Sequence, residues 1–183
     1  VGVTQAVPQA GDDVERIIRT NVAQGITKFF ITDDNFARNK AWEEHFDRII
    51  RLRDELGVDL KLTVQVDTLC HKIPRFIEKA GRAGVEKVFI GLESINPDAL
   101  EGSGKTQNKI TEYRAMLQAW HRVGALTYAG YILGFPGDTP ASIERDIGIE
   151  FDHWGMPLVD KTTFASTRPG VFFGGDAAFG PKN

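Results

Sequence analysis

The chain has 183 residues, of which 42% are hydrophobic and 26% charged, and this ordinary globular balance argues against a disordered chain. The net charge of −3 gives no excess of basic residues that would indicate binding to nucleic acid or to an anionic membrane. No apolar run reaches the roughly 18 residues that a membrane helix needs. We therefore expect a cytoplasmic protein with no nucleic-acid or membrane partner, and we take a small molecule as the expected substrate. The sequence leaves the oligomeric state open.

Four short, β-rich apolar runs recur along the chain, and helix-period segments separate them. The runs are residues 27–32, 60–66, 87–91 and 126–133, and their starts are about 30 residues apart, as in βα units. The predicted helices cover residues 14–22, 42–56, 73–80 and 110–120. Pro74 near the first turn of the third helix and Gly84 beyond its end are typical of helix boundaries.

This alternation predicts an α/β fold of parallel strands with right-handed crossovers. An open doubly wound sheet and part of a (β/α) barrel both fit the pattern. A full barrel takes ~250 residues, so this chain could supply only an arc of one. We favour a partial (β/α) barrel arc with outer helices in residues 1–150, followed by a short, loosely packed C-terminal segment in residues 151–183.

Polar residues follow all four predicted strands, at the ends where both architectures place ligand sites. We expect Asp34, Gln65, Glu93 and Gly134 to line one cleft. The full set of strand-end candidates is Asp33, Asp34 and Asn35, then Gln65 with Asp67 and Thr68, then Glu93 and Ser94, then Gly134, Gly137 and Asp138. The alternative is that these acids and serines cap the helices that follow, and that Glu93 is the N-cap before Pro97.

Cys70 is the one cysteine of the sequence, which excludes an intrachain disulfide and a complete iron–sulfur ligand set. We predict that Cys70 is a small buried hydrophobe. His71 beside it offers too few ligands for a metal, and His45 and His121 are expected on helix surfaces. The residues therefore predict no metal site in this chain.

Four segments of the sequence resemble radical S-adenosylmethionine (SAM) enzymes, most closely the branch with a cobalamin-binding domain upstream. The segments are Phe29–Asn39, Gln65–Thr68, Phe89–Pro97 and Gly130–Pro140, in family order, and the resemblance covers about residues 12–146. It implies a partial (β/α) barrel with a [4Fe–4S] cluster on three cysteines and SAM at the open iron. It also implies cleavage of SAM to a 5′-deoxyadenosyl radical, and cobalamin as a further cofactor.

The resemblance also implies roles for individual residues. It assigns the methionine amino group to Asp33–Asn35, the ribose or the methionine end to Glu93 and Ser94, the methionine carboxylate to Lys105, and adenine to Ile132 and Gly134–Asp138. These residue types suit a zwitterionic amino acid that carries a sulfonium. Its ammonium group needs carboxylates, its carboxylate needs a cation, and its base needs the close backbone approach that glycine allows.

The chain departs from this family in two places. The C-x3-C-x2-C cluster loop is absent and would stand upstream of Val1, so we expect no cluster on this chain. From about residue 143 the tail resembles flavoproteins of the glutamate synthase small-chain type, in segments 143–152 and 168–181. That second resemblance implies FAD, with Asp176 at its ribityl–pyrophosphate region, although both Gly-rich dinucleotide fingerprints are missing.

A chimeric or truncated reading frame that joins the two parts at residues 143–147 would explain both departures. The leading interpretation is a fragment of a radical SAM enzyme that is inactive on its own. Two alternatives remain, namely a fragment of an FAD/NAD(P)-dependent oxidoreductase, indicated by the tail, and an inert βα module whose strand-end acids are only caps.

Overall fold

The structure is a computed structural model that describes most of the chain. The described residues are 11–105, 108–132, 134–136, 138–139, 141–142, 148–154 and 156–173. Two of the predicted site residues, Gly137 and Asp176, lie outside them.

Helices and strands alternate along the described chain, except for two successive helices after the third strand. In order they are α1 (Gly11–Val22), β1 (Lys28–Phe30), α2 (Trp42–Leu56), β2 (Lys61–Val66), α3 (Phe76–Ala83), β3 (Val85–Glu93), α4 (Pro97–Gly102), α5 (Ile110–Arg122) and β4 (Leu126–Tyr131). Short 3-10 turns cover Phe36–Arg38 and Cys70–Lys72. The predicted start of the third helix at residue 73 is wrong, because Arg75 has a left-handed backbone (φ 63°) that prevents a helix from running through it.

The strands form one parallel sheet in the order β1-β2-β3-β4. A doubly wound sheet would reverse its strand order at a switch point, whereas a barrel arc runs in sequence. The sequential order therefore confirms the predicted partial barrel, and the four described strands form an open arc.

One face of the sheet packs against the helices. Along β2, Leu62, Val64 and Val66 are buried while the residues between them are half-buried, which is the period of a strand with one covered face. The ring of Phe76 on α3 completes the core, with its centroid 5.0 Å from that of Trp42 and 6.2 Å from that of Trp120. Removing such aromatic surface from water supplies much of the stability.

The other face of the sheet carries exposed aromatic side chains. Gln65, Phe89 and Tyr128 form one row across β2, β3 and β4, and Phe30 of β1 stands beside Thr63 in a neighbouring row. Phe30, Phe89 and Tyr128 are 53%, 43% and 47% exposed. We call these three residues and Gln65 the inner-face residues, because a barrel turns this face toward its centre.

The chain divides into two compact units. The first is Val1–Glu93 with Gln107–Tyr131 and contains all four strands, and the second is Ser94–Thr106 with Ile132–Asn183. In the second unit, isolated antiparallel bridges join Phe151 to Pro157 and Ala165 to Phe172. The predicted domain boundary at residue 150 stays a prediction, as does loose packing of the tail.

Two predictions about single residues have opposite outcomes. Cys70 is completely buried, as predicted. The surface position predicted for His45 is wrong, because this side chain is only 5% exposed and lies beside the ring of Phe36. Among the described helices, none combines the length and apolar character that crossing a membrane requires.

Candidate functional site

The carboxyl end of β3 departs from regular strand geometry at Glu93. Gly91 pairs with Gly130 of β4 and Glu93 pairs with the next residue, Tyr131, so that Leu92 is an extra residue in a β-bulge. Glu93 has a φ of 68°, in the left-handed region. That conformation costs a residue with a side chain about 1–2 kcal/mol, and such strain is concentrated at functional sites.

The Glu93 side chain folds back over the exposed face of the sheet. A Cβ atom built on Gly91 would lie 3.3 Å from Oε1 of Glu93, so the carboxylate stands directly above that glycine. Gly91 pairs with Gly130, and a Cβ atom built on Gly130 would lie 3.1 Å from Cζ of Phe89. The carboxylate, two glycines and the Phe89 ring thus share one side of the sheet, and the glycines allow close approach to the backbone.

Two side chains from elsewhere in the first unit hold the bulge. The side-chain amide of Asn108 donates to the carbonyl oxygens of Gly91 (3.0 Å) and Leu92 (2.9 Å), and the Tyr113 hydroxyl donates to the Leu92 oxygen (2.8 Å). Burial raises the pKa of Tyr113 to about 12, so its hydroxyl keeps its proton at neutral pH. The sequence assigns no site role to Asn108 or to Tyr113, because a hydrogen bond from a side chain to a distant carbonyl oxygen produces no periodic pattern in the sequence.

The loops after β1 and β2 are joined through Asp67. The side chain of Asn35 donates to the Asp67 carboxylate and accepts from the Asp67 backbone N–H, both at 3.2 Å. Nε of Arg38 donates to the same carboxylate at 2.6 Å. Asp33 accepts from the Asn35 backbone N–H (3.0 Å) and the Asn39 amide (2.9 Å), while Asp34 is exposed. Asp33 and Asn35 therefore build the turn, and their contact with a ligand stays a prediction.

The N-cap of α4 is Asn96. Its side-chain oxygen accepts from the Asp98 backbone N–H (3.1 Å), and its own backbone N–H donates to the hydroxyl of the buried Ser94 (2.9 Å). The alternative prediction that Glu93 caps this helix is therefore wrong.

Asp138 closes a turn in the second unit. Its carboxylate accepts from the backbone N–H groups of Gly134 (3.2 Å) and Phe135 (3.0 Å) and from the Asn96 amide (3.0 Å). Gly134 has a φ of 89°, which favours glycine at that position. In the same unit Ile132 is 44% exposed and Lys105 is half-buried after α4. The adenine and carboxylate contacts assigned to these residues stay predictions.

The first unit brings part of the predicted cleft together. Gln65 and Glu93 lie on neighbouring parallel strands, on the same face and toward the same carboxyl edge. The loop that contains Asp34 is tied to the loop that follows β2. Ser94, Lys105, Ile132, Gly134 and Asp138 belong to the second unit.

The residues present do not fit an iron–sulfur cluster. The sequence has one cysteine, Cys70, and burial raises the pKa of its thiol to about 12, so it is not a thiolate at neutral pH. His71 beside it contacts Glu112 at 3.0 Å, and Lys72 pairs with the same carboxylate at 2.6 Å. In the described part of the chain, no three His, Cys, Asp or Glu side chains form a group that could hold a metal.

The radical SAM superfamily matches this sequence over residues 10–148. Among curated proteins, the bacteriochlorophyllide d C-12(1)-methyltransferase of Chlorobaculum tepidum is 29% identical over 117 residues, covering 64% of this chain and 25% of that protein. The hopanoid C-2 methylase of Rhodopseudomonas palustris is 25% identical over 133 residues, 72% of this chain and 25% of that protein. The tryptophan 2-C-methyltransferase of Streptomyces laurentii is 30% identical over 148 residues, 75% of this chain and 23% of that protein.

Two solved structures share the fold. TsrM from Kitasatospora setae, a radical SAM methyltransferase with cobalamin and a [4Fe–4S] cluster bound, aligns with a TM-score of 0.66 at 23% identity, over 76% of this chain and 28% of that one. OxsB, a cobalamin-dependent SAM radical enzyme, aligns with a TM-score of 0.54 at 18% identity, over 67% of this chain and 19% of that one. The chain spans about a quarter of the length of its curated relatives. On the family match, which covers most of the sequence, this chain belongs to the radical SAM superfamily.

Proposed function

We propose that this chain binds SAM at the carboxyl edge of its sheet and that Glu93 is the central acid of that site. The observation that carries the proposal is the Glu93 carboxylate, held by a left-handed backbone above the paired glycines Gly91 and Gly130. A carboxylate makes strong charge-assisted hydrogen bonds to an ammonium or ribose hydroxyl. Bare glycine backbone beside it lets the rest of the ligand approach closely.

The reaction that we propose is methyl transfer to a small molecule. The three curated relatives are named for methyl transfer, and the TsrM structure holds cobalamin and a [4Fe–4S] cluster. We propose SAM, the cluster and cobalamin as the cofactors of the whole enzyme. The thiolates that hold a cluster are not among the residues of this chain, so the role proposed here is to bind and orient SAM.

The inner-face residues support an apolar substrate that contains rings. Phe30, Phe89 and Tyr128 present about half of their surfaces on the face that carries Glu93. Aromatic faces attract flat or extended apolar groups through stacking and burial of surface. The relatives are named for bacteriochlorophyllide, hopanoid and tryptophan, all of which contain rings.

Titration of the full chain with SAM, followed by NMR amide shifts, tests the proposal. Without a cluster to chelate the methionine end, a few charge-assisted bonds of ~1.5–3 kcal/mol each, less the cost of association, give a Kd no better than about millimolar. We expect Glu93→Gln to weaken binding by about tenfold or more, which corresponds to about 1.4 kcal/mol. Glu86→Gln is the matched control, because Glu86 lies at the opposite end of the same strand and pairs with Lys61.

Equal SAM affinity in wild type and Glu93→Gln would contradict the role of Glu93. Absence of any SAM-dependent shift in the wild-type chain would contradict the proposed function as a whole. A loss of SAM affinity in Glu86→Gln as large as that in Glu93→Gln would mean that both acids act through the net charge of the chain. It would contradict a direct contact between Glu93 and SAM.

A further inference from the structure

Asn108 is a buried residue whose side-chain amide donates hydrogen bonds to the backbone carbonyl oxygens of the β3 bulge. It is 7% exposed, and its two side-chain contacts to Gly91 and Leu92 satisfy successive carbonyl oxygens. The extra residue of a bulge interrupts the ladder, and a buried carbonyl without a partner is costly. The Asn108 side chain therefore gives two successive carbonyl oxygens of the bulge a hydrogen-bond donor.

The same amide also reaches the loop after β2. The hydroxyl of the buried Thr68 donates to Oδ1 of Asn108 at 3.4 Å, across 40 residues of sequence. One side chain thus donates to two backbone oxygens and accepts from a hydroxyl. A carboxylate of the same shape has no proton to donate and would set its negative oxygen against two carbonyl oxygens.

The bulge determines where the Glu93 carboxylate stands. The register shift between Gly91 and Glu93 coincides with the left-handed backbone of Glu93, and with that backbone the side chain lies over Gly91. Any change that lets β3 pair regularly would return Glu93 to an extended backbone and redirect its Cα–Cβ bond, which would move the carboxylate away from its place beside Gly91.

We propose that Asn108 is the positioning residue of Glu93, fixing the bulge that presents its carboxylate to the ligand. The identity of that ligand, SAM, rests on the function proposed above. Tyr113 supports the same bulge through its hydrogen bond to the Leu92 oxygen.

A ligand-free measurement tests the positioning itself. Glycine accepts a left-handed backbone at position 93 and alanine does not, so Glu93→Gly is more stable than Glu93→Ala as long as the bulge is held. We expect this difference in unfolding free energy to fall to about half or less in an Asn108→Ala background. An unchanged difference overturns the inference, whether or not the chain binds SAM.

A second measurement follows SAM binding by amide shifts as a function of pH. We expect Asn108→Asp to weaken binding about tenfold or more at pH 8. A buried acid that faces carbonyl oxygens titrates well above its usual pKa near 4, and its protonated form regains a donor. Binding should therefore recover partly toward pH 6 in this variant only. The matched control is Asn21→Asp, since the Asn21 amide donates to the Ile17 carbonyl oxygen within α1, far in sequence from the bulge.

The outcomes separate the two proposals. Loss of SAM binding in Asn108→Asp at pH 8, with recovery at lower pH and wild-type behaviour of Asn21→Asp, supports the positioning role. Wild-type affinity in Asn108→Asp at pH 8 overturns it. If Asn108→Asp does not fold, Asn108→Ala takes its place in the binding measurement, and wild-type SAM affinity in that variant overturns the positioning role. If the wild-type chain binds no SAM but the stability coupling is present, the proposed function fails and the positioning of Glu93 stands.

Discussion

The most specific structural prediction concerns glycine and alanine substitutions at two positions of β3. We expect glycine to be the more stabilising of the two residues at position 93 and alanine to be the more stabilising at position 86. Glu93 and Glu86 both belong to β3, but Glu93 has a φ of 68° whereas the φ of Glu86 is not positive. Replacing each acid by glycine and by alanine removes the carboxylate in both variants of a pair. The difference within each pair therefore reports the backbone alone.

The magnitudes follow from the two backbone conformations. A left-handed backbone costs alanine about 1–2 kcal/mol and costs glycine nothing, while glycine loses about 0.5–1 kcal/mol more chain entropy on folding. At position 93 we expect Glu93→Gly to be more stable than Glu93→Ala by about 0.5–1 kcal/mol. At position 86 the backbone is not left-handed, so only the greater chain entropy that glycine loses on folding separates the two variants. Glu86→Gly should therefore be less stable than Glu86→Ala by about 0.5–1 kcal/mol.

Urea unfolding of the four variants measures both differences, with equal m-values as the condition for comparing them. If Glu93→Ala is as stable as Glu93→Gly or more stable, the left-handed conformation of Glu93 is refuted. The bulge account and the place of the carboxylate above Gly91 would then be refuted with it.

Three further outcomes are expected. Phe76→Ala should lower the unfolding free energy by about 3–5 kcal/mol in urea titrations, because Phe76 is fully buried. Phe172 is 64% exposed, so Phe172→Ala should change the unfolding free energy by no more than about 0.5 kcal/mol, and similar losses in both variants would contradict the place of Phe76 in the core. Burial lowers the pKa of His45 below 6.5, so unfolding free energy should fall as pH drops below 6.5, and His45→Gln should flatten this slope if the buried imidazole causes it. Limited proteolysis should cut first between residues 152 and 170 and leave a fragment of about residues 12–147, whereas a tail as resistant as the sheet would contradict loose packing.

Much of the fold follows from residue patterns that reflect burial. Alternation in β2 and the 3.6-residue stripes of α2 and α5 arise because each element covers one face, so sequence period and structure agree. His45 escaped prediction because the ring of Phe36, which comes from a separate turn, covers it. Such coverage depends on tertiary packing, which the local pattern does not contain.

The site was predictable to a smaller extent. Resemblance and the strand-end rule both pointed to Glu93, but its left-handed backbone depends on how β3 and β4 pair. The role of Asn108 depends on Thr68 and on the bulge, which are distant from it in sequence. The flavin site predicted at Asp176 lies outside the described residues and stays a prediction.

The most direct test of the central claim is to locate SAM on the chain by intermolecular NOEs from its ribose and methionine protons. We expect contacts to the backbone amides of Gly91, Glu93 and Gly130 at the carboxyl edge of the sheet, and we expect these contacts to be lost in Glu93→Gln. NOEs confined to the opposite edge, around Glu86 and Gly124, would contradict the central claim.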